Sequence, residues 1–247
     1  MKRIGYTLTE IMIVLAVLAV LSGAIYFIVS SGRDAAESVD VRAQLSGGAR
    51  VAMAEMVRDL SETSRSTVTV DGTGAVTSFV DPLNSETHQI LIFASARGDP
   101  AAAAEDGTHA NNDYVHLDAD YKPVWRSVIV YCTYVPPEGI QQLRKYVYYN
   151  DSYSFPFTFV SVAANAINLA GLVIPRDSGS VRANYITSEV TGPANNNDGV
   201  IDNGADFTIS GSLMKIKFFL SKLELPTKGG TRRLTVTLTD SVVMRNK

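Results

Sequence analysis

Cysteine, histidine and net charge are all scarce in this sequence, and each scarcity excludes a class of protein. The single cysteine, Cys132, excludes an internal disulfide framework and leaves the redox compartment open. Charged residues make up 19% of the 247 positions, and the formal net charge is −3. The chain therefore has no broad basic field, and we do not expect nucleic acid as a partner.

The sequence also lacks the motifs of familiar catalytic and metal centres. The three histidines, His88, His109 and His116, do not form a His-Glu-x-x-His signature, and we interpret them as surface residues. No Gly-x-Ser-x-Gly elbow, Ser-x-x-Lys or phosphate-binding glycine loop stands in a strand–helix setting. Cys132 lies in the middle of a predicted strand, which favours a buried apolar role. The sequence thus predicts no catalytic residues and no enzyme.

What the chain does have is a long apolar run near its N-terminus. In residues 11–29 only Ser22 and Gly23 interrupt the aliphatic and aromatic residues, and these 19 positions can cross a hydrocarbon core of about 30 Å. Lys2 and Arg3 precede the run, so the positive-inside rule predicts a single-pass inner-membrane protein with a cytoplasmic N-terminus. Everything after the run would then lie in the periplasm or beyond it.

Two interpretations of this segment are general ones. Its basic start, its apolar stretch and the small residues at 22–24 are typical of a secretory signal peptide. Alternatively, it is an uncleaved signal anchor that holds a periplasmic binding module. Both leave Glu10 unexplained, because a carboxylate in lipid costs free energy and such residues tend to be functional.

A third interpretation comes from the residues around Glu10. The segment GYTLTE, residues 5–10, resembles the processing site of type IV prepilins and type II secretion pseudopilins, where Phe is more common at the position of Tyr6. The resemblance implies that prepilin peptidase removes residues 1–5 after Gly5, that the new amine of Tyr6 is methylated, and that the apolar run is retained. The Glu10 carboxylate can then neutralise the Tyr6 ammonium of its own or a neighbouring subunit, a pairing worth more in an apolar bundle than in water.

The helical pattern continues beyond the apolar run. Apolar residues recur at steps of three and four on one face (Val41, Leu45, Ala49, Ala52, Met56 and Leu60), and charged residues, Arg58 and Asp59 among them, fill much of the remaining surface. We therefore predict one helix from about residue 7 to about residue 63. Its hydrophobic transmembrane and assembly part would be residues 6–31 and its amphipathic part residues 32–63. Gly47 and Gly48 would allow a kink or close packing.

Residues 64–247 change to short β-like runs, which predict a β-rich periplasmic or extracellular head domain. The clearest hairpins are residues 125–150, with a Pro-Pro-Glu-Gly turn, and residues 212–244, whose second arm alternates threonines with apolar residues. The polar residues 97–113 predict an exposed loop, whose Arg97-Gly98-Asp99 is too short a match to indicate integrin binding. A helix followed by strands predicts an α+β, pilin-like fold in which an antiparallel sheet packs on the long helix.

A looser resemblance narrows the choice within this superfamily. Residues 49–60, ARVAMAEMVRDL, resemble the second helical half of minor pilins of the PilW class and of J-type minor pseudopilins, and Trp125-Arg126, Leu143-Arg144 and residues 242–246 are also similar to that group. The resemblance implies a low-copy pilin that acts in initiation or at the tip of a type IV pilus, or alternatively a J-type pseudopilin of type II secretion. The implied partners are other pilin or pseudopilin subunits, prepilin peptidase, the inner-membrane assembly platform and the lipid bilayer.

One polar segment, residues 195–206, has a composition that suits calcium. It partly matches an EF-hand loop, but positions 194 and 205, where the two end ligands would stand, are both alanine. A plain Asn/Gly turn and a calcium loop therefore both stay open. The oxygen donors of the calcium loop would be Asn196, Asp198, Asp202 and Asp206.

Overall fold

The computed structural model describes residues 7–63, 76–83, 87–102, 114–136, 140–149, 159–184, 186, 205–223 and 233–244. Within these residues, one helix precedes eleven strands. The elements are α1 (Leu8–Ser61), β1 (Val76–Val80), β2 (Thr87–Ser95), β3 (Ser127–Tyr134), β4 (Gln142–Tyr149), β5 (Phe159–Val162), β6 (Ala166–Leu169), β7 (Leu172–Pro175), β8 (Ser180–Asn184), β9 (Ala205–Ser210), β10 (Leu213–Leu223) and β11 (Arg233–Val243). The order confirms the predicted α+β, pilin-like architecture.

The N-terminal part of α1 lies in a compact unit of its own, Met1–Ala43. The helix continues for 54 residues, which confirms the predicted helix between residues 7 and 63. Leucine, isoleucine, alanine and valine dominate its first seven turns, and no proline interrupts it. The large apolar side chains between Leu8 and Val29 are 49–78% exposed, so intrahelical hydrogen bonding rather than burial holds this segment.

The remainder of α1 lies in the second unit, Gln44–Lys247, and buries one face. The buried side chains are Leu45, Ala49, Ala52, Met53, Met56, Asp59 and Leu60, which confirms the predicted apolar face from Leu45 onward. Fully burying a side chain such as Met56 or Leu60 contributes about 2 kcal/mol. A Cβ added at Gly47 or Gly48 would meet no atom of the described residues within 4 Å, so these glycines do not pack closely against that part of the chain.

The main sheet is antiparallel and has five strands in the order β1-β2-β3-β4-β8. The hairpin predicted in residues 125–150 is confirmed as β3–β4, with Ser127 opposite Tyr149 and Tyr134 opposite Gln142. Seven of the eight residues of β3 are buried, so both faces of this central strand are covered. Aromatic and β-branched residues suit such a strand, because they pack well on a pleated surface.

Two smaller antiparallel sheets complete the head, β11-β10-β9 and β5-β6-β7. The predicted C-terminal hairpin is confirmed as β10–β11, with Leu213 opposite Val243 and Leu223 opposite Arg233. Its threonine face is exposed at positions 237 and 239. Ile167 and Leu169 of β6 are buried, so this short strand contributes to the core of the head.

Candidate assembly site

The first turn of α1 forms a reciprocal capping arrangement between Thr7 and Glu10. The Thr7 backbone N–H donates to Glu10 Oε2 at 2.8 Å, and the Thr7 hydroxyl donates to the same oxygen at 3.0 Å. The Glu10 backbone N–H donates in return to Thr7 Oγ1 at 3.3 Å. This is the Thr-x-x-Glu capping box, in which two side chains satisfy backbone donors that the first turn leaves unpaired.

The capping box supplies a local reason for the acid at residue 10, which sequence reasoning missed. The signal was present in the spacing of Thr7-Leu8-Thr9-Glu10, because a threonine followed three residues later by a glutamate is the mark of such a box. Among the described residues, Glu10 Oε1 accepts no hydrogen bond, whereas Oε2 accepts both of those from Thr7. The carboxylate can therefore cap its own helix and still offer one oxygen to a cation.

The predicted processing residues Gly5 and Tyr6 lie outside the described residues. The pairing of the Tyr6 ammonium with Glu10 therefore stays a prediction. Downstream of Glu10, an 18-residue window of α1 has a mean hydropathy of 2.8 with none of it buried, so the helix is long and apolar enough to cross a membrane. Such a segment needs lipid or other apolar helices around it.

Most of the predicted calcium ligands also lie outside the described residues, namely Asn196, Asp198 and Asp202. The fourth, Asp206, lies in β9 opposite Lys217, in a strand rather than in a loop. Within the described ranges, no group of three or more His, Cys, Asp or Glu side chains could hold a metal ion. The calcium loop stays a prediction.

The interpretation of the histidines as surface residues is wrong for two of them. His88 is 0% exposed and bonds the Gln141 side chain at 2.6 Å, and His116 is 7% exposed. His116 stacks on Tyr114, with the ring centroids 4.2 Å apart. Both imidazoles pack as aromatic side chains in the head, which a polar sequence context does not reveal, and His109 lies outside the described residues.

A buried ionic cluster attaches α1 to the main sheet, and sequence reasoning missed it. Lys145 Nζ of β4 donates to Glu55 Oε1 at 3.0 Å and to Asp59 Oδ2, and the Tyr131 hydroxyl of β3 donates to Asp59 Oδ2 at 2.7 Å. Arg182 of β8 forms an ion pair with Glu55, with Nε and Oε2 3.1 Å apart. The interpretation of Asp59 as a surface charge is therefore wrong: the residue is 4% exposed. It is tolerated there because hydrogen bonds from Lys145, Tyr131 and Arg58 replace its hydration.

A second buried ion pair joins the small sheet β5-β6-β7 to the main sheet. Arg176 follows β7 and is 0% exposed, as is Asp81, which follows β1. The guanidinium donates to both Asp81 oxygens, to the Thr133 carbonyl at 2.9 Å and to the Ala163 carbonyl at 3.2 Å. Burial alone would lower the pKa of Arg176, but the hydrogen bonds and charge of Asp81 raise it, so the guanidinium stays charged.

Two ionisable side chains of β3, Tyr131 and Cys132, are held in their neutral forms. Burial raises the pKa of the Tyr131 hydroxyl, and the neighbouring Asp59 carboxylate raises it further. Burial likewise raises the pKa of the Cys132 thiol to about 12, although the Arg176 charge opposes the shift. A neutral buried thiol is a poor nucleophile, so Cys132 is the packing residue that the sequence predicts.

Arg97 of the Arg-Gly-Asp tripeptide is likewise bound within the head. Its guanidinium donates through two nitrogens to Glu62 just beyond α1, at 2.6 and 2.7 Å. This bidentate pair gives the arginine a structural role.

Comparison with known families gives a match for the N-terminal leader and helix but not for the head. Residues 1–26 match the family model of the prokaryotic N-terminal methylation motif. No curated protein sequence and no solved structure matches the chain. The motif supports a prepilin-peptidase substrate of the type IV pilin or pseudopilin kind, which is a structural subunit anchored by its N-terminal helix. The match ends at residue 26, so the resemblance of residues 49–60 to the PilW and J-type groups stays a prediction.

Proposed function

We propose that this protein is a minor, low-copy subunit of a type IV pilus, processed after Gly5 and active in initiation or at the tip. The observation that carries the proposal is the methylation motif at residues 1–26, followed without a gap by an apolar helix whose side chains are exposed. Polymerisation would bury those side chains against other subunits. The large head and the single cysteine support a low-copy role, because many major pilins have a smaller head and a C-terminal cysteine pair.

Processing is tested by the mature N-terminus of the full chain. We expect N-terminal sequencing and mass spectrometry to give a chain that begins at N-methylated Tyr6 when prepilin peptidase is present, and an unprocessed chain when it is absent. A mature chain that begins at Ile25 would instead indicate an ordinary signal peptidase. That result would favour the alternative of a secreted or anchored binding module and overturn the proposal.

The role of Glu10 in assembly needs variants that separate its charge from its cap. Glu10→Gln keeps an oxygen that can accept from Thr7 and so preserves the capping box, but it removes the charge. Thr7→Val keeps the charge but removes the hydroxyl that reciprocates the cap. We expect Glu10→Gln to insert in the membrane yet incorporate poorly into filaments, as Glu10→Val should, whereas Thr7→Val incorporates more nearly normally.

The measurement is the amount of each variant in sheared filaments relative to the membrane fraction. If Glu10→Gln incorporates as well as the unaltered chain, the charge is not required and the pairing with the Tyr6 ammonium is refuted. If Thr7→Val is the more defective variant, the acid acts as a helix cap and not as a counter-charge.

The alternative within the same class is a J-type minor pseudopilin of type II secretion. Both systems require the same leader and helix, so deletion of the gene distinguishes them. Loss of surface pili with normal export of secreted enzymes supports the pilus. Loss of export with normal pili supports the secretion system.

A further inference from the structure

We propose that a groove between α1 and β8 is a docking site for an acidic side chain of a neighbouring subunit, an inference that rests on the proposed role in a filament. The groove has a volume of about 220 Å³. One wall is formed by α1 and the other by β8; the lining residues are Gln44, Leu45, Gly48 and Ala49 of α1 and Arg182, Ala183 and Asn184 of β8. Sites for drug-sized ligands occupy roughly 300–1,000 Å³, so this groove is sized for a side chain rather than a cofactor.

The charge of the groove comes from an excess of cations in the cluster beside it. Three cations, Arg58, Lys145 and Arg182, share only two carboxylates, Glu55 and Asp59. Lys145 takes one oxygen from each carboxylate. Arg58 is 60% exposed and therefore solvated, whereas the Arg182 side chain is only 32% exposed. Of the two arginines, Arg182 is therefore the less solvated.

One hydrogen-bond donor of Arg182, its Nε–H, is unused among the described residues. Its ion pair with Glu55 spans 3.1 Å, yet the buried Nε has no hydrogen-bond partner among the described residues. A guanidinium carries five N–H donors in a planar fork that matches the two oxygens of a carboxylate. A partly desolvated guanidinium with an unpaired N–H on the wall of a groove attracts a carboxylate.

The shape of the groove favours a side chain carried by another folded chain. Gly48 leaves open space, because a Cβ placed there would meet no atom within 4 Å, and Leu45 and Ala49 line the groove beside it. Among the described strands, β8 is the last in the order of the main sheet, so the groove lies at an edge of that sheet. An aspartate or glutamate could therefore place its methylene groups in the open space at Gly48 and its carboxylate on Arg182.

A photo-crosslinking residue in place of Gly48 tests this proposal in cells that assemble the filament. The probe enters open space, and the adjacent Gly47 provides a matched control, because it is equally open and is not among the residues that line the groove. We expect the probe at position 48 to form an adduct with another chain that carries a methylation leader, through a peptide that contains Asp or Glu. The yield should fall about tenfold in Arg182→Gln, the change expected on losing a partly buried charge pair, and persist in Arg182→Lys.

A further variant separates docking from a purely structural role of Arg182. Glu55→Gln removes the internal partner of Arg182 and leaves Lys145 paired with Asp59, so it should preserve or increase the adduct. If Glu55→Gln lowers the yield as much as Arg182→Gln, Arg182 acts by holding the helix, and the proposal is wrong. It is also wrong if positions 47 and 48 respond alike to Arg182→Gln, or if position 48 gives no adduct. The mature N-terminus is read on the same samples: correct processing without an adduct overturns only the docking site, and absent processing overturns the proposed function.

Discussion

A carboxylate lies near each end of α1, and the two carboxylates differ in exposure and in the residues that hold them. Glu10 is exposed and is held by Thr7, three residues away in the same turn. Asp59 is 4% exposed and is held by Lys145 and Tyr131, which lie 86 and 72 residues away in the sequence. One acid completes a helix terminus, and the other attaches the helix to a sheet.

The comparison shows which charge is left for a partner. The charge of Asp59 is paired with Lys145 and Arg58, and its oxygens accept hydrogen bonds from these two residues and from Tyr131, so Asp59 stabilises the head. Glu10 receives only neutral donors, both on one oxygen, so its charge is uncompensated among the described residues. A lone carboxylate that becomes buried among apolar helices needs a cation from elsewhere to neutralise it. Filament assembly would supply such a cation from a neighbouring subunit.

The largest expected effect is the loss of the inner carboxylate. Asp59→Ala leaves Lys145 with Glu55 alone and removes the acceptor of the Tyr131 hydroxyl, so we expect a loss of about 3–5 kcal/mol in the free energy of unfolding. Chemical denaturation of the full chain in detergent measures it. Asp120→Ala is the matched control, because that side chain is 74% exposed and should change stability by less than about 0.5 kcal/mol. Equal effects of the two substitutions would contradict the structural role of Asp59.

A smaller effect is expected from the hydroxyl that bonds Asp59. Tyr131→Phe should cost about 1.5–3 kcal/mol, the usual range for a hydrogen bond to a charged group. Burial holds the pKa of Tyr131 above its ordinary value of 10.0, so its contribution to stability is complete below pH 10 and is lost as the pH rises through and above 10. Denaturation curves between pH 8 and pH 11 should therefore show less alkaline destabilisation in Tyr131→Phe. An unchanged alkaline slope would mean that another group causes it.

The smallest effect is expected at the outer end of the helix. Thr7→Ala removes a capping hydroxyl and should destabilise the first turn by about 1 kcal/mol, which corresponds to about fivefold faster amide exchange there. The unfolding midpoint of the head should not move, because the cap contacts only its own turn. If the head is destabilised as well, the two ends of α1 are coupled, and the cap at Thr7 is not a purely local interaction.

Prediction from the sequence succeeded where the signal is short-range and periodic. The apolar face of α1 from Leu45, the hairpin β3–β4 and the hairpin β10–β11 all follow from periods of 3.6 or 2. It failed at the polar residues of the core. His88, His116 and Asp59 are all of types that usually lie outside, and only a partner brought close by the fold makes their burial tolerable.

The sequence alone therefore determined the elements whose causes lie within a few residues: the apolar helix, its methylation leader and the spacing of its capping box. Tertiary structure alone decided which charged residues are buried and which partners they bind. Arg176 and Asp81 are 95 residues apart in the sequence and fully buried together, and no local pattern identifies either as the partner of the other. The physical reason is that burial of a charge is tolerated only through donors and acceptors from distant strands, whereas a helix start is satisfied by its own first turn.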